Sequence, residues 1–289
     1  MQFKKVCVIG AGTMGNGIVQ VCAQAGYETG MVDLKQDLLD KGMAAIKISL
    51  GKFVSKGKMT QKDMEKTLSL IHPSTKLQDS AKDAGYVIEN VFERVDVKRT
   101  VFKQLDEICP RDTILSSNTS GIAISLLGSM TTRPDKVIGM HFGNPVPLTT
   151  GMEVIRSLLT SDETARISLD FAESLGKKPF IVKDSPGFVA NRIIPLVINE
   201  CAKMLEDDLA SMSDIDENVR MGIGAPLGPF RWAEMAGVDI IVDLLEGIYQ
   251  QTGWERYKPA PLLRRMAETG YLGRKTGKGF DDLFGKKSQ

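Results

Sequence analysis

Residues 8–18 read VIGAGTMGNGI. An apolar run with β-branched members, Val6 to Ile9, meets Gly10, Gly12 and Gly15, and helical character then extends from Met14 to Ala25, where Gly26 ends it. Such a run suits a strand buried on both faces of a parallel sheet. The glycine spacing is G-x-G-x-x-G. The first glycine permits a tight turn, the second lets backbone approach a pyrophosphate, and the third lets helix and strand pack closely. Thr13 and Met14 fill the positions between the second and third glycines, at the helix start, where free amides meet phosphate. Glu28 to Val32 reads as a second strand closing on Asp33, which completes a β-α-β unit. A carboxylate there accepts hydrogen bonds from adenine ribose hydroxyls and repels a 2′-phosphate, so the pattern predicts NAD, with NADP disfavoured. Lys35 is the nearby group suited to a 2′-phosphate. FAD shares the glycine motif, but a flavin needs further distant segments, and the chain has no second glycine motif to help.

Outward from this unit the alternation continues. Helices are expected over 36–56, 60–68, 96–108 and 122–130, and strands over 86–89, 113–116 and 136–140. Shorter units follow, with strands at 152–155 and 179–182 flanking a helix at 160–175. This is the pattern of a doubly wound α/β sheet. Beyond Ser185, Pro186 and Gly187 period-two alternation stops, and 188–207, 214–221, 230–235, 238–250 and 261–268 all read as helices. The expected architecture is a dinucleotide-binding sheet domain, 1–184, followed by an all-helical domain, 185–289. The tail GRKTGKGFDD reads as an ordered surface loop.

Composition narrows the classes of function. Apolar residues make up 42% and charged residues 25% of the 289, which places the chain among globular proteins. A net charge of +1 gives no reason to expect nucleic acid. The four cysteines, Cys7, Cys22, Cys109 and Cys201, form no CxxC pair, so neither a zinc cluster nor a disulfide framework is expected. No apolar run is long enough to cross a bilayer, and the amino terminus leads straight into the first strand. The expectation is a cytoplasmic protein with no membrane partner and no metal.

One of only two histidines, His141, lies in GMHFGNPVP after an apolar run, at the strand end where open sheets present ligand-binding residues. Glu153, in MEVI, is placed to point toward it across the connecting loop, or to pair with Arg156. A carboxylate on one imidazole nitrogen fixes the tautomer and leaves the other nitrogen to exchange a proton. SNTS ends a strand on the same rim. There Ser120 could hold a substrate oxygen and Asn118 could contact the cofactor, unless the segment serves as a cap for the helix near Ile122. Asn191, near the start of the first long helix after Pro186, could reach a cleft or satisfy local backbone. His72, in IHPST, has no acid nearby and reads as a structural or exposed loop residue.

Together these stretches resemble the 3-hydroxyacyl-CoA dehydrogenase family, and its bacterial short-chain members in particular. The carriers are VIGAGTMGNGI, YVIENVFERVDVKRTVFKQLDEI, SSNTSGIAI, GMHFGNPVP with MEVI, DSPGFVANRIIPLVINE, GIGAPLGPFRWAEMAGVD and YLGRKTGKGF. Their order and spacing span practically the whole chain. The resemblance implies NAD as cofactor, an acyl-CoA thioester as substrate, (S)-3-hydroxybutyryl-CoA above all, and a homodimer formed through the helical domain. It implies His141 as the acid/base, Glu153 as its orienting acid, Ser120 on the substrate hydroxyl and Asn191 as a further polar contact. Glu93 and Lys98 fall where family members meet the nicotinamide part of the cofactor. Lys52 and Lys56, with Lys58, fall on the coenzyme A side.

The chain departs from the family pattern beside the histidine. Gly143 stands where a second phenylalanine is usual, and Thr149, Thr150, Gly151 and Met152 replace the usual Met-Lys-Leu-Val. Two alternatives stay open: a dehydrogenase for a free 3-hydroxy acid, and a cofactor-binding structural protein without catalysis, which only the altered loop around Gly143 favours. Turnover of acetoacetyl-CoA against free acetoacetate separates the first; NADH binding without any turnover would mark the second.

Overall fold

A computed structural model describes residues 3–285. The chain divides into two compact units, one ending at Ser185 and the other beginning at Pro186. In the first, β1 (Lys5–Ile9) leads into α1 (Thr13–Gln24), followed by β2 (Glu28–Val32), α2 (Gln36–Ser55), α3 (Gln61–Ser69), β3 (Ile71–Ser74), α4 (Leu77–Ala81) and β4 (Tyr86–Glu89). Then come α5 (Val95–Ile108), β5 (Ile114–Ser117), α6 (Ile124–Gly128), β6 (Val137–Phe142), β7 (Gly151–Arg156), α7 (Asp162–Ser174) and β8 (Lys178–Lys183).

The strands lie in the order β3-β2-β1-β4-β5-β6-β7-β8. All neighbours are parallel except β6 and β7, which run antiparallel. The strand order reverses at β1, so the carboxyl ends of β1 and β4 border the crevice where open sheets take ligands. The reason for the antiparallel pair is local. The connection 143–150 is too short for a parallel crossover, which needs roughly a dozen residues or more.

Central strands are largely apolar because both faces are covered: Val6, Cys7, Val8, Val87 and Ile88 have essentially no exposure. In α2 the buried positions are Leu39, Gly42, Ile46 and Leu50, one stripe at helical spacing. Beneath the sheet Phe3, Tyr27, Tyr86 and Phe171 stack edge and face at 4.5 to 5.8 Å between centroids. The buried Tyr86 hydroxyl donates to Ser168 at 2.8 Å, and burial pushes its ionisation far above the tyrosine range.

The strand β3 was not expected; the sequence reading left His72 in a loop. Ile71, His72, Pro73 and Ser74 pair with Thr29 to Val32 at the sheet edge, with His72 exposed. Pro73 is tolerated there because an edge strand has ladder groups with no neighbour to serve.

The second unit is helical: α8 (Ala190–Glu206), α9 (Met212–Gly222), α10 (Pro229–Ala236), α11 (Val238–Thr252), α12 (Pro261–Glu268) and α13 (Phe280–Phe284). Ile198, Ala202, Phe230, Ala233, Leu245, Leu263 and Phe280 form its core. Buried Asn199 fastens α8 to the segment before α12: its amide donates to the Lys258 carbonyl at 3.0 Å and accepts from Ala260 N at 2.7 Å. The tail is an exposed, ordered turn over 274–278 as expected, closed by a bridge between Gly273 and Lys278, but it then inserts Phe280 into the core.

Candidate active site

The glycine loop has the geometry its spacing predicts. Gly10 has φ +99°, and a Cβ there would lie 2.4 Å from the Asn90 carbonyl oxygen. At Gly15 a Cβ would meet the Gly10 carbonyl oxygen at 1.8 Å. Gly12 differs, since nothing lies within 4 Å of its Cβ position, which a side chain would fill. It is also the N-cap of α1, without side-chain cap or acidic first turn. Thr13 is exposed and Met14 half-buried beside it. A cradle that only glycine leaves clear, at a positive helix end, fits a pyrophosphate. Asp33 stands next to it. One carboxylate oxygen accepts from Ala11 N and the other from Leu34 N, each at 2.7 Å. A carboxylate has about four acceptor positions, so capacity remains for ribose hydroxyls.

His141 lies within β6, one residue before its end, and Glu153 lies opposite in the antiparallel register of β7. Cross-strand partners on one face are neighbours. His141 Nδ1 accordingly meets Glu153 Oε2 at 2.8 Å, and Nε2 lies 3.3 Å from Ser120 Oγ. Both side chains are largely buried, at 14% and 11% exposure, which shields the pair from solvent screening. The carboxylate favours the tautomer with the proton on Nδ1 and supports charge on the ring, so Nε2 is the proton-exchanging position.

The loop 143–150 that joins this pair is fixed on two sides. Thr149 Oγ1 donates to the Gly143 carbonyl at 2.8 Å. The buried Lys177 ammonium donates to the Thr149 carbonyl at 2.6 Å, and burial pulls its ionisation below the lysine range. Val146 packs so near α1 that a Cβ on Gly17 would lie 2.9 Å from it.

Other expected residues are held by neighbouring strands and loops. Asn118 donates to Asn90 Oδ1 at 2.6 Å and accepts from Phe142 N at 2.9 Å, which ties the ends of β4, β5 and β6. Its amide is therefore engaged by protein at both ends. Glu93 keeps an exposed flank and accepts from Ser120 N and Gly121 N, each at 3.0 Å. Lys98, expected at the cofactor, is 1% exposed, with its ammonium on Glu89 at 2.7 and 2.9 Å and on Glu93 at 3.3 Å. The ammonium is thus enclosed by the carboxylates of Glu89 and Glu93, and of the three groups Glu93 is the exposed one. The SNTS segment does serve the backbone near Ile122, through Thr119 Oγ1, which accepts from Ile122 N at 2.9 Å. Asp184 serves the first turn of α6, accepting from Ile124 N at 3.0 Å and from Ser125 N and Oγ at 2.8 Å.

Asn191 is half-buried in the first turn of α8, in the helical unit. Lys52 lies in the last turn of α2 and Lys56 is its C-cap, both exposed. Sequence reading missed Glu89, Thr119 and Asp184. Glu89 carried a signal: it is an acid closing a strand whose other residues are buried.

A dinucleotide cradle beside a histidine–carboxylate pair on the same sheet defines a nicotinamide-linked oxidoreductase. Residues 5–185 match the NAD-binding domain of 3-hydroxyacyl-CoA dehydrogenase, and 187–283 match its C-terminal domain. A probable 3-hydroxybutyryl-CoA dehydrogenase of Deinococcus radiodurans is 46% identical over 276 residues, covering 96% of this chain and 99% of that one. The human mitochondrial hydroxyacyl-coenzyme A dehydrogenase is 36% identical over 96% of this chain and 90% of its own. The crystal structure of (S)-3-hydroxybutyryl-CoA dehydrogenase from Ralstonia eutropha superposes with a TM-score of 0.92 at 43% identity, covering 96% of this chain and 98% of that one. The chain belongs to the 3-hydroxyacyl-CoA dehydrogenase family, whose members use NAD(H).

Proposed function

We propose that this enzyme interconverts (S)-3-hydroxybutyryl-CoA and acetoacetyl-CoA with NAD(H). The observation that carries the reading is the contact of His141 with Glu153 at 2.8 Å, with Nε2 turned to Ser120. Bound NAD supplies the hydride acceptor. In the oxidative direction neutral His141 takes the 3-hydroxyl proton on Nε2, Glu153 stabilises the imidazolium, and Ser120 orients the oxygen. In reduction protonated His141 returns that proton to the 3-keto oxygen. Asn191 is a second polar contact for that oxygen in this reading, and Lys52 and Lys56 meet the phosphates of coenzyme A.

The preference for NADH over NADPH rests on Asp33 beside the glycine loop. Homodimerisation through the helical unit belongs to the same proposal, supported by Ile193, Met221, Ile223 and Ile240, which stay exposed there. So does a cytoplasmic setting, supported by four free, buried cysteines.

The test is NADH consumption with acetoacetyl-CoA, with free acetoacetate, and with NADPH. General acid–base assistance is worth about 10²–10⁴ in rate. His141→Ala should therefore lower kcat by about that factor and leave NADH binding, read by fluorescence, near parental. Acetoacetyl-CoA turnover within twofold of the parent would defeat the assignment. Equal use of free acetoacetate would move the enzyme to free 3-hydroxy acids.

A further inference from the structure

Glu89, the last residue of β4, has no exposure, and a buried carboxylate is rare unless paired and hydrogen-bonded. Here it has both. Lys98 Nζ donates to Oε1 at 2.7 Å and Oε2 at 2.9 Å. Val91 N donates to Oε1 at 2.7 Å, and Ser117 Oγ to Oε2 at 2.6 Å. The carboxylate is thus gripped from α5, from β5 and from the loop after its own strand, and every grip is short.

The arrangement fixes Lys98 as tightly as Glu89. Its ammonium still reaches Glu93 Oε2 at 3.3 Å and the Val91 carbonyl at 3.5 Å. The other oxygen of Glu93 is thereby left to the Thr119 hydroxyl and to the amides of Ser120 and Gly121. Ser120 then presents its hydroxyl to His141 Nε2. The continuous order is Glu89, Lys98, Glu93, the 119–121 backbone, Ser120, His141. Its members come from β4, α5, the loop after β4, the loop after β5, and β6, so no single element holds the serine in place.

We infer that Glu89 is a positioning residue for the reaction: by fixing the Lys98 ammonium it sets Glu93, and through Glu93 the place of the Ser120 hydroxyl beside His141. It touches neither His141 nor Ser120 and acts only through others. The inference rests on the catalytic reading of His141 and Ser120 proposed above. A displacement of about 1 Å at a positioning group can cost up to ~10²-fold in rate. A Glu89 variant should therefore lose roughly 10-fold or more in kcat/KM.

Coupling is the test that a merely structural role would not satisfy, because residues in one hydrogen-bonded network are non-additive whereas independent ones add. Glu89→Gln, Ser120→Ala and the double variant are assayed with acetoacetyl-CoA and NADH. Glu89→Gln is expected to cost 10-fold or more alone and less than threefold in the Ser120→Ala background. Equal losses in both backgrounds, or parental activity of Glu89→Gln, would overturn the inference.

Should Glu89→Gln prove too unstable, Glu89→Gln with Lys98→Met removes both buried charges, a change that often preserves stability. This double variant is expected to melt near the parent, to remain slow, and to show the same reduced loss beside Ser120→Ala. A double variant that recovers parental activity along with its melting temperature would likewise overturn the role. His141→Ala, run in parallel, separates the two readings. Its full activity would end the catalytic reading, while its failure alongside additive Glu89 and Ser120 losses ends only the positioning role.

Discussion

Asp33 braces the glycine loop, since its carboxylate accepts from Ala11 N inside the motif. In the function proposed above the same group meets the adenine ribose. Removing it should loosen the loop and lift the charge that opposes a 2′-phosphate. We expect Asp33→Ser to lower kcat/KM for NADH by about 10-fold, the equivalent of one hydrogen bond to a charged group, while NADPH improves relative to it. The ratio of the two specificity constants is the measurement, and an unchanged ratio would refute the role. Residues of this kind were legible because their meaning comes from sequence neighbours: Asp33 closes a strand next to a glycine motif, and His141 and Glu153 are separated by one short loop. The partners of Glu89 and Asp184 were not, although an acid closing a buried strand marked Glu89 itself. Glu89 is gripped by Ser117, 28 positions away, and Asp184 caps α6 from 59 and 60 positions away. Nothing local announces a partner at such range.

At the level of elements, the β6–β7 hairpin is what creates the dyad. Side chains alternate across a strand, so a register slip of one residue would turn Glu153 to the opposite face from His141. Departures from the family pattern beside the histidine are compensated within this hairpin. A Cβ on Gly143 would lie 3.2 Å from Cβ, Cγ2 and Oγ1 of Thr149. Thr149 is pinned by its hydroxyl to the Gly143 carbonyl and by its own carbonyl to Lys177, so it has little room to give way. Gly143→Ala should therefore destabilise by about 1–3 kcal/mol, the usual cost of overpacking, and Thr149→Ala in the same chain should restore part of the loss. Thermal unfolding of the three variants checks this, and no loss in Gly143→Ala would contradict it. The sequence raised Gly143 and Thr149 as two separate departures; only the fold shows them to be one change.

For the whole molecule, two cores form from two periodicities. Buried parallel strands announce the first, and amphipathic helices the second, which is why the switch after Ser185 could be read directly. What escaped were short pieces whose order comes from contact: β3, held at the sheet edge by β2, and α13, held by Phe280 in the helical core. Burial also governs the thiols. Burial raises the ionisation of Cys109 and of Cys201 to about 11, and that of Cys7 and Cys22 higher still. A thiol titrating near 11 is ionised at about one part in a thousand at pH 8. The native protein should thus resist a disulfide reagent at that pH and release four equivalents in denaturant. A fast-reacting thiol in the native state would contradict the packing of these residues.

The close approach of Val146 to Gly17 means that α1, which opens on the glycine motif, also backs the hairpin that holds His141 and Glu153. Reshaping the 143–150 loop on its inner side would therefore press on the glycine loop as well. The loop is freest to change at Leu148, 67% exposed, where a new side chain extends outward and the helix is left undisturbed.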